Sequence, residues 1–499
     1  MILGMPFARN GSPPTHRHAG ALAALLSRFG FPGRIVLPLV LGLLLRLWFV
    51  HHDPDLTGDP LLYGAIARNL LQHGVYGFAA GAPTLIRLPG YPLFLAACFQ
   101  IFGVEHYYPV LYLQVAVDLT ICWVLSRVAF RLAARAPGLA TGKERAAGAA
   151  LWLAALCPFT AAYTAAPLTE TLELASIALS MYGFVRTLPH PGFAEAAVSA
   201  REQRTSLHAG WFALAAGAWI AAALLRPDGA LLGAVLCPAL VWYGWRSGQA
   251  RQAFRFGCYG ALASLLAFVP WAVRNARTFH VFEPLAPRYA TDPGEPTNPG
   301  FQHWTKTLCA DLVCTSEVYW AADDDRIGLA QLPSRAFDSP QELRATADLL
   351  ADYNRTTTIT PALDARFAAL AAERTARHPL RTRVALPLLR LADMWFRPRV
   401  ELFSIDLRWW NYAAEGPDTV LAWSFVLLNG LYLGLAAMGA WRRPPLLGVF
   451  VAFTVLRCAL LLTIEAPEPR YTLECFPMIL VLGGIAVAHG RARGAHSRD

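Results

Sequence analysis

Apolar runs recur along most of the 499-residue chain, each close to the roughly 20 residues that a helix needs to cross a bilayer core. The pattern predicts spans near 35–50, 108–130, 147–165, 167–187, 208–225, 229–246, 255–272, 419–441, 445–464 and 472–489. Cations collect at alternate ends of these runs: Arg127, Arg131, Arg135, Lys143 and Arg145, then Arg186, Arg201 and Arg204, then Arg246, Arg251 and Arg255, then Arg442 and Arg443, then Arg491 and Arg493. Lys and Arg favour the cytoplasmic side of short loops, so the alternation puts both termini in the cytoplasm. It holds only if the apolar segment 88–104, interrupted by Pro89, Gly90 and Pro92, lies in the outer interface instead of crossing. The half-apolar 380–396 segment carries Arg381, Arg383 and Arg390 and is expected to lie flat too. The expected fold is all-α and polytopic: about ten transmembrane helices, interfacial helices and one long extracytoplasmic loop.

Five parts follow from that reading. Residues 1–34 form a basic cytoplasmic tail without an acidic residue, and the run after it lacks a small-residue cleavage pattern, as in an uncleaved signal anchor. Residues 35–273 form an N-terminal transmembrane module whose first extracytoplasmic loop is 51–107. Residues 274–418 are an extracytoplasmic region with interfacial helices, where Leu343, Ala347, Leu350, Ala351, Leu363, Phe367, Leu370 and Ala371 have helical spacing. Residues 419–490 are the C-terminal transmembrane helices and 491–499 a cytoplasmic tail.

Composition excludes a soluble protein: 55% of residues are hydrophobic and 15% charged, against about 25% charged in soluble domains. The net charge of +9 belongs to arginines at span ends, which argues for membrane lipid and against nucleic acid as a partner. The nine cysteines have no paired metal-ligand spacing. Cys309 and Cys314, in the long polar loop, are a disulfide candidate if that loop is extracytoplasmic.

The chemistry gathers after the first span. Asp53, Asp55 and Asp59 fall within seven residues, and Arg87 precedes the stiff Pro89-Gly90-Tyr91-Pro92 turn. Asp59 is read as a general base for an acceptor hydroxyl, as a ligand of a divalent metal (Mg or Mn), or as the cap of a helix beginning at Pro60. Tyr63, at i+4, shares its side. Asp55 is a supporting acid in a turn. Arg87, Arg274 and Arg470 are candidate phosphate ligands, since a guanidinium fork matches a phosphate, with Tyr471 beside the last. Glu170 opens an apolar span and is either a functional acid or a carboxylate favoured by the helix dipole. Asp118 and Glu173 read as packing polar residues, Asp228 as a turn residue with a local ion pair. No P-loop, dinucleotide fingerprint or nucleophile elbow is present.

These residues resemble a known family. Gly58-Asp59-(3)-Tyr63, Ala67-Arg68-Asn69-Leu70-Leu71, Gly74-Val75-Tyr76-Gly77 and Arg87-Leu88-Pro89-Gly90-Tyr91-Pro92-Leu93-Phe94 are similar to the first extracytoplasmic loop of GT-C glycosyltransferases. The likeness is to bacterial relatives of protein O-mannosyltransferases and of lipid A aminoarabinose or galacturonic acid transferases. Leu168-Thr169-Glu170, Leu225-Arg226-Pro227-Asp228, Pro270-Trp271-Ala272-Val273-Arg274-Asn275 and Pro469-Arg470-Tyr471 extend it over nearly the whole chain outside 290–400. The resemblance implies a polyprenyl-phosphate sugar donor, an inverting transfer to a glycan, glycolipid or protein acceptor, and a periplasmic site in the bacterial inner membrane. It places the family's loop aspartate on Asp59; many members have Asp-Glu there, whereas this chain has Asp59-Pro60. A transporter or flippase of polyprenyl-linked sugars and a non-catalytic assembly protein on the same fold are the competing readings.

Overall fold

The computed structural model describes residues 33–136, 138–189, 206–403, 405–411 and 416–495, with side chains described from 35 to 487. The expected tail 1–34, apart from its last two positions, and Arg201 and Arg204 lie outside the described residues. Beyond one two-stranded hairpin, all regular structure among the described residues is helical.

Every apolar run predicted from the sequence is helical. Among the described residues, six helical segments are long and apolar enough to cross a bilayer: Ile35–His52, Tyr107–Arg135, Pro227–Arg246, Ala250–Phe279, Gly416–Trp441 and Pro469–Val487. A seventh results if Ala140–Ala155 and Pro158–Ala165, which meet at 50°, are one broken span. The runs at 208–225 and 445–464 become the shorter apolar helices Ala209–Leu225 and Leu447–Leu461, and 167–187 becomes Glu170–Thr187, with two acids in its first turn. The chain is therefore a multi-pass membrane protein. The interrupted segment at 88–104 is the helix Gly90–Phe102; its 13 residues reach about 20 Å, short of the roughly 30 Å core.

We number the main helices α1 Gly33–His52, α2 Asp59–His73, α3 Gly90–Phe102, α4 Tyr107–Arg135, α5 Lys143–Ala155, α6 Glu170–Thr187, α7 Ala209–Leu225, α8 Ala230–Arg246, α9 Ala250–Phe279, α10 Pro299–Lys306, α11 Pro340–Tyr353, α12 Pro361–Arg377, α13 Leu386–Phe396, α14 Gly416–Trp441, α15 Leu447–Leu461 and α16 Phe476–Ala495. The last runs into the expected 491–499 tail. The largest apolar core joins α4, α5, α6, α7 and α16. Backbones approach closely where one lacks a side chain: a Cβ on Gly439 of α14 would lie 2.0 Å from the Leu482 carbonyl of α16, the small-residue contact typical of membrane helices.

Asp118 does more than pack. It meets Arg46 of α1, whose Nε donates to Asp118 Oδ2 at 2.7 Å while Nη1 donates to the carbonyls of Gly42 and Ala155, each at 2.8 Å. Both side chains are buried, so α1, α4 and α5 share one satisfied ion pair.

A second core lies in the chain between α9 and α14. Phe301 and Trp304 of α10 meet Phe367 of α12. The expected α12 face is buried, but α11 is turned from expectation: Leu343 and Ala351 are exposed, while Glu342, Thr346, Leu349, Leu350 and Tyr353 face inward. Glu342 turns in because it pairs with Arg374, itself 1% exposed, and Ser339 fixes the register by accepting the Glu342 N–H at 3.1 Å. Cys309 and Cys314 are joined by a disulfide.

Candidate active site

The turn after α1 is set locally. Asp55 accepts the Thr57 N–H at 3.2 Å and its hydroxyl at 2.8 Å. Gly58 then takes φ 59°, ψ −122°, a conformation open to glycine and strained for other residues. It delivers Asp59 to the first turn of α2, with Pro60 where a helical N–H would have no partner. Asp59 does not cap this helix: Gly58 holds the cap position, without a side-chain bond, and the Asp59 carboxylate points elsewhere.

It points at two arginines distant in the chain. Arg87 Nη2 donates to Asp59 Oδ1 at 2.7 Å, and Arg470 Nη2 to Oδ2 at 3.3 Å. Burial pushes the Asp59 carboxyl up, but Arg87 and Arg470 outweigh it and hold the group below the usual carboxylate range. Tyr63 lies one turn on, its ring centre 5.7 Å from the Arg87 guanidinium and edge-on to Tyr91. Glu468 takes Arg470 Nε at 2.7 Å and also accepts the Tyr471 hydroxyl. Glu170 accepts from Arg226 Nη1 at 3.3 Å and lies 3.9 Å from Arg470.

Arg274 corrects the expected convergence. Its Nη1 donates to the Thr84 carbonyl at 2.7 Å and its Nη2 to that of Tyr76 at 2.8 Å, with the rings of Tyr76, Trp271 and Phe279 against the guanidinium. It is not among the cavity-lining residues. Arg274 ties α9 to the hairpin of β1 Gly77–Ala79 and β2 Ala82–Pro83, where Tyr76 also donates to the Arg87 carbonyl at 3.0 Å. Arg274 and Arg87 are thus linked through Tyr76, by its carbonyl and its hydroxyl.

A cavity of about 790 Å³ opens over Asp59. Its ionisable walls are Asp55, Asp59, Glu170, Glu401 and Glu468 against Arg87, Arg226 and Arg470; Tyr63, Tyr163 and Tyr471 lie between them. The 274–418 region contributes Leu312, beside the disulfide, and Tyr319 and Trp320. A side chamber of about 280 Å³ shares Arg226, Tyr319, Ala466 and Tyr471 and is otherwise lined mainly by Leu460, Leu461 and Ile464 with Asp228 and Glu465. Beneath, Arg457 pairs with Asp228 and, at 2.8 Å, with Glu474, while Arg226 reaches Asp228 at 3.4 Å. Asp228 therefore has the local ion pair expected of it and a second, distant one.

Arg226, Arg457, Glu401, Glu468 and Tyr163 were not singled out as site residues from the sequence. Arg457 carried a usable signal, since a lone arginine within an apolar run marks a functional or paired group. At Asp59 the contacts in the structure are with cations, not with further acidic ligands. Both its oxygens face guanidiniums, and no group of three His, Cys, Asp or Glu side chains able to hold a metal occurs among the described residues.

The chain is similar to two kinds of solved structure. One is the oligosaccharyltransferase AglB from Archaeoglobus fulgidus, solved with an inhibitory peptide and a dolichol-phosphate: 11% identity, TM-score 0.47, over 92% of this chain and 50% of that one. The other is ArnT from Cupriavidus metallidurans. Its apo form gives 16% identity and TM-score 0.38 over 92% of this chain and 77% of that one. Its undecaprenyl phosphate complex gives 14% and 0.37 over 93% and 79%. The chain thus spans about half the length of AglB. No family model and no curated protein sequence matches it.

Proposed function

We propose that this chain is an integral membrane glycosyltransferase that moves a sugar from a polyprenyl-phosphate donor to an acceptor hydroxyl in the large cavity. One observation carries the reading: Asp59, Arg87 and Arg470 meet at one wall of it. A carboxylate between two guanidiniums is a base whose partners suit a phosphate better than they suit the carboxylate. As the donor phosphate takes Arg87 and Arg470, Asp59 loses its cations, its proton affinity rises, and it faces the acceptor hydroxyl. The acceptor oxygen bonds to the anomeric carbon while the bond from that carbon to the phosphate oxygen breaks on the opposite face. The electron pair leaves with the phosphate, the arginines neutralise it, and the hydroxyl proton passes to Asp59. The anomeric configuration inverts.

Leu460, Leu461 and Ile464 suit the donor's isoprenoid chain, and the alternation of cations supports an extracytoplasmic cavity in a bacterial cell membrane with both termini inside. The acceptor is an envelope glycan, glycolipid or protein. Transport is less well supported: the Arg46–Asp118 pair within the helices is closed off by backbone carbonyls.

The test compares cells lacking the protein with cells carrying Asp59→Asn, profiling envelope lipids, glycans and proteins by mass. Both lose the same sugar modification, while the variant inserts in normal amount. Wild-type modification in Asp59→Asn cells removes the general-base role. In membranes, EDTA leaves transfer unchanged; loss restored by Mg or Mn would instead make Asp59 a metal ligand.

A further inference from the structure

The carboxylates of the cavity are not equivalent. Asp59, Glu170 and Glu468 all contact guanidiniums, and Asp55 is held by its own turn. Glu401 has no ion-pair partner within 4 Å among the described residues. Its Oε1 accepts the Tyr163 hydroxyl at 2.8 Å, and its Oε2 is buried with no partner. Arg399, two residues earlier, is spent on the Pro469 carbonyl at 2.8 Å, on Thr472 and on the face of Phe476.

We propose that Tyr163 and Glu401 form the sugar-recognition corner of the cavity, binding neutral hydroxyls of the transferred ring apart from the arginines that hold the phosphate. This rests on the glycosyltransferase reading above. A buried carboxyl without a contacting cation is favoured in its neutral form. Burial pushes Glu401 up from the usual glutamate range; Arg399 and the Tyr163 hydroxyl oppose this, and Glu468 adds to it. Tyr163 in turn feels Glu170 and Arg470. A neutral carboxyl donates one hydrogen bond and accepts others, and beside a phenol it presents a donor–acceptor pair that matches neighbouring ring hydroxyls. The orphaned Oε2 finds its partner when a hydroxyl arrives, which accounts for a buried polar atom otherwise left unpaired. No guanidinium contacts Glu401 or Tyr163 within ion-pair distance among the described residues, whereas Arg87 and Arg470 meet at Asp59, which favours the phosphate there and neutral hydroxyls here.

The experiment uses the full chain in lipid nanodiscs and measures affinity for undecaprenyl phosphate and for undecaprenyl-phosphate-linked glucose, galactose and mannose. At least one sugar-linked lipid binds more tightly than the bare lipid. Tyr163→Phe and Glu401→Ala each cut that gain about tenfold, the worth of one buried hydrogen bond, and leave bare-lipid affinity unchanged. Glu401→Gln, which keeps a neutral donor and acceptor, retains the gain and loses the decline with rising pH that the wild type shows. Equal effects on bare and sugar-linked lipid, no gain from any sugar, or one pH profile shared by wild type and Glu401→Gln overturns the proposal. Failure of the wild type to bind bare undecaprenyl phosphate instead overturns the glycosyltransferase reading.

Discussion

Asp59 rests as a weak base, and the anion its arginines face sets its strength. Its pKa is lowered in the folded protein, so the stabilising pairs persist above the unfolded value of about 3.9 and vanish only as pH falls through the lower folded value. The acid limb of kcat/KM should therefore lie below the ordinary carboxylate range. Removing one partner moves it: Arg87→Ala or Arg470→Ala shifts the acid limb to higher pH and lowers kcat/KM about 10²-fold or more, as pH–rate profiles of reconstituted enzyme will show. A limb that stays in place in both variants would mean that another group titrates. Gly58 bears on the same carboxylate. Gly58→Ala forces a side chain into a conformation that disfavours it by about 1–3 kcal/mol, visible as a lower melting temperature and a loss of transfer.

The hairpin, α9 and the 274–418 helices explain what could and could not be read in advance. Asp59, Arg87 and Arg470 stood out because each borders a Pro- or Gly-rich turn at the same predicted edge of the membrane. Arg274 met that criterion too, but spacing along the chain does not say whether a guanidinium will find a ligand or two backbone carbonyls. As a positioning residue its expected signature is distinct: Arg274→Ala lowers kcat about 10²-fold and weakens undecaprenyl phosphate binding through misplacement of Arg87, but adds little to either loss in an Arg87→Ala background. A fully additive loss in the double variant would restore it to the phosphate site. On α11 apolar spacing misled because Glu342 is buried with Arg374, an ion pair no periodicity reports. Asp393 of α13 accepts the Leu312 N–H at 3.1 Å, and burial raises its pKa to about 6. The folded state thus binds the proton more tightly, and stability falls as pH rises from the unfolded carboxylate value toward 6. Asp393→Asn should flatten that dependence in thermal unfolding; an unchanged slope would assign it to other groups.

The assembled molecule is tied by ion pairs that no single helix contains. Arg46→Met strands Asp118 and should lower stability by about 3–5 kcal/mol, whereas Arg46→Met with Asp118→Leu should come close to the wild type. A double variant as unstable as the single one, by unfolding in detergent, would show that the carbonyl contacts of Arg46 matter more than its partner. The disproportion in the cavity walls, five acids, one of them the neutral Glu401, facing three guanidiniums, has a thermodynamic corollary. The dianionic headgroup of a bare polyprenyl phosphate cannot join a chamber with no surplus of cations without a compensating one, and the smallest available is H⁺. Ligand capture should thus draw protons from the buffer, so titration calorimetry in buffers of unequal ionisation enthalpy should give heats that diverge in proportion to the protons absorbed.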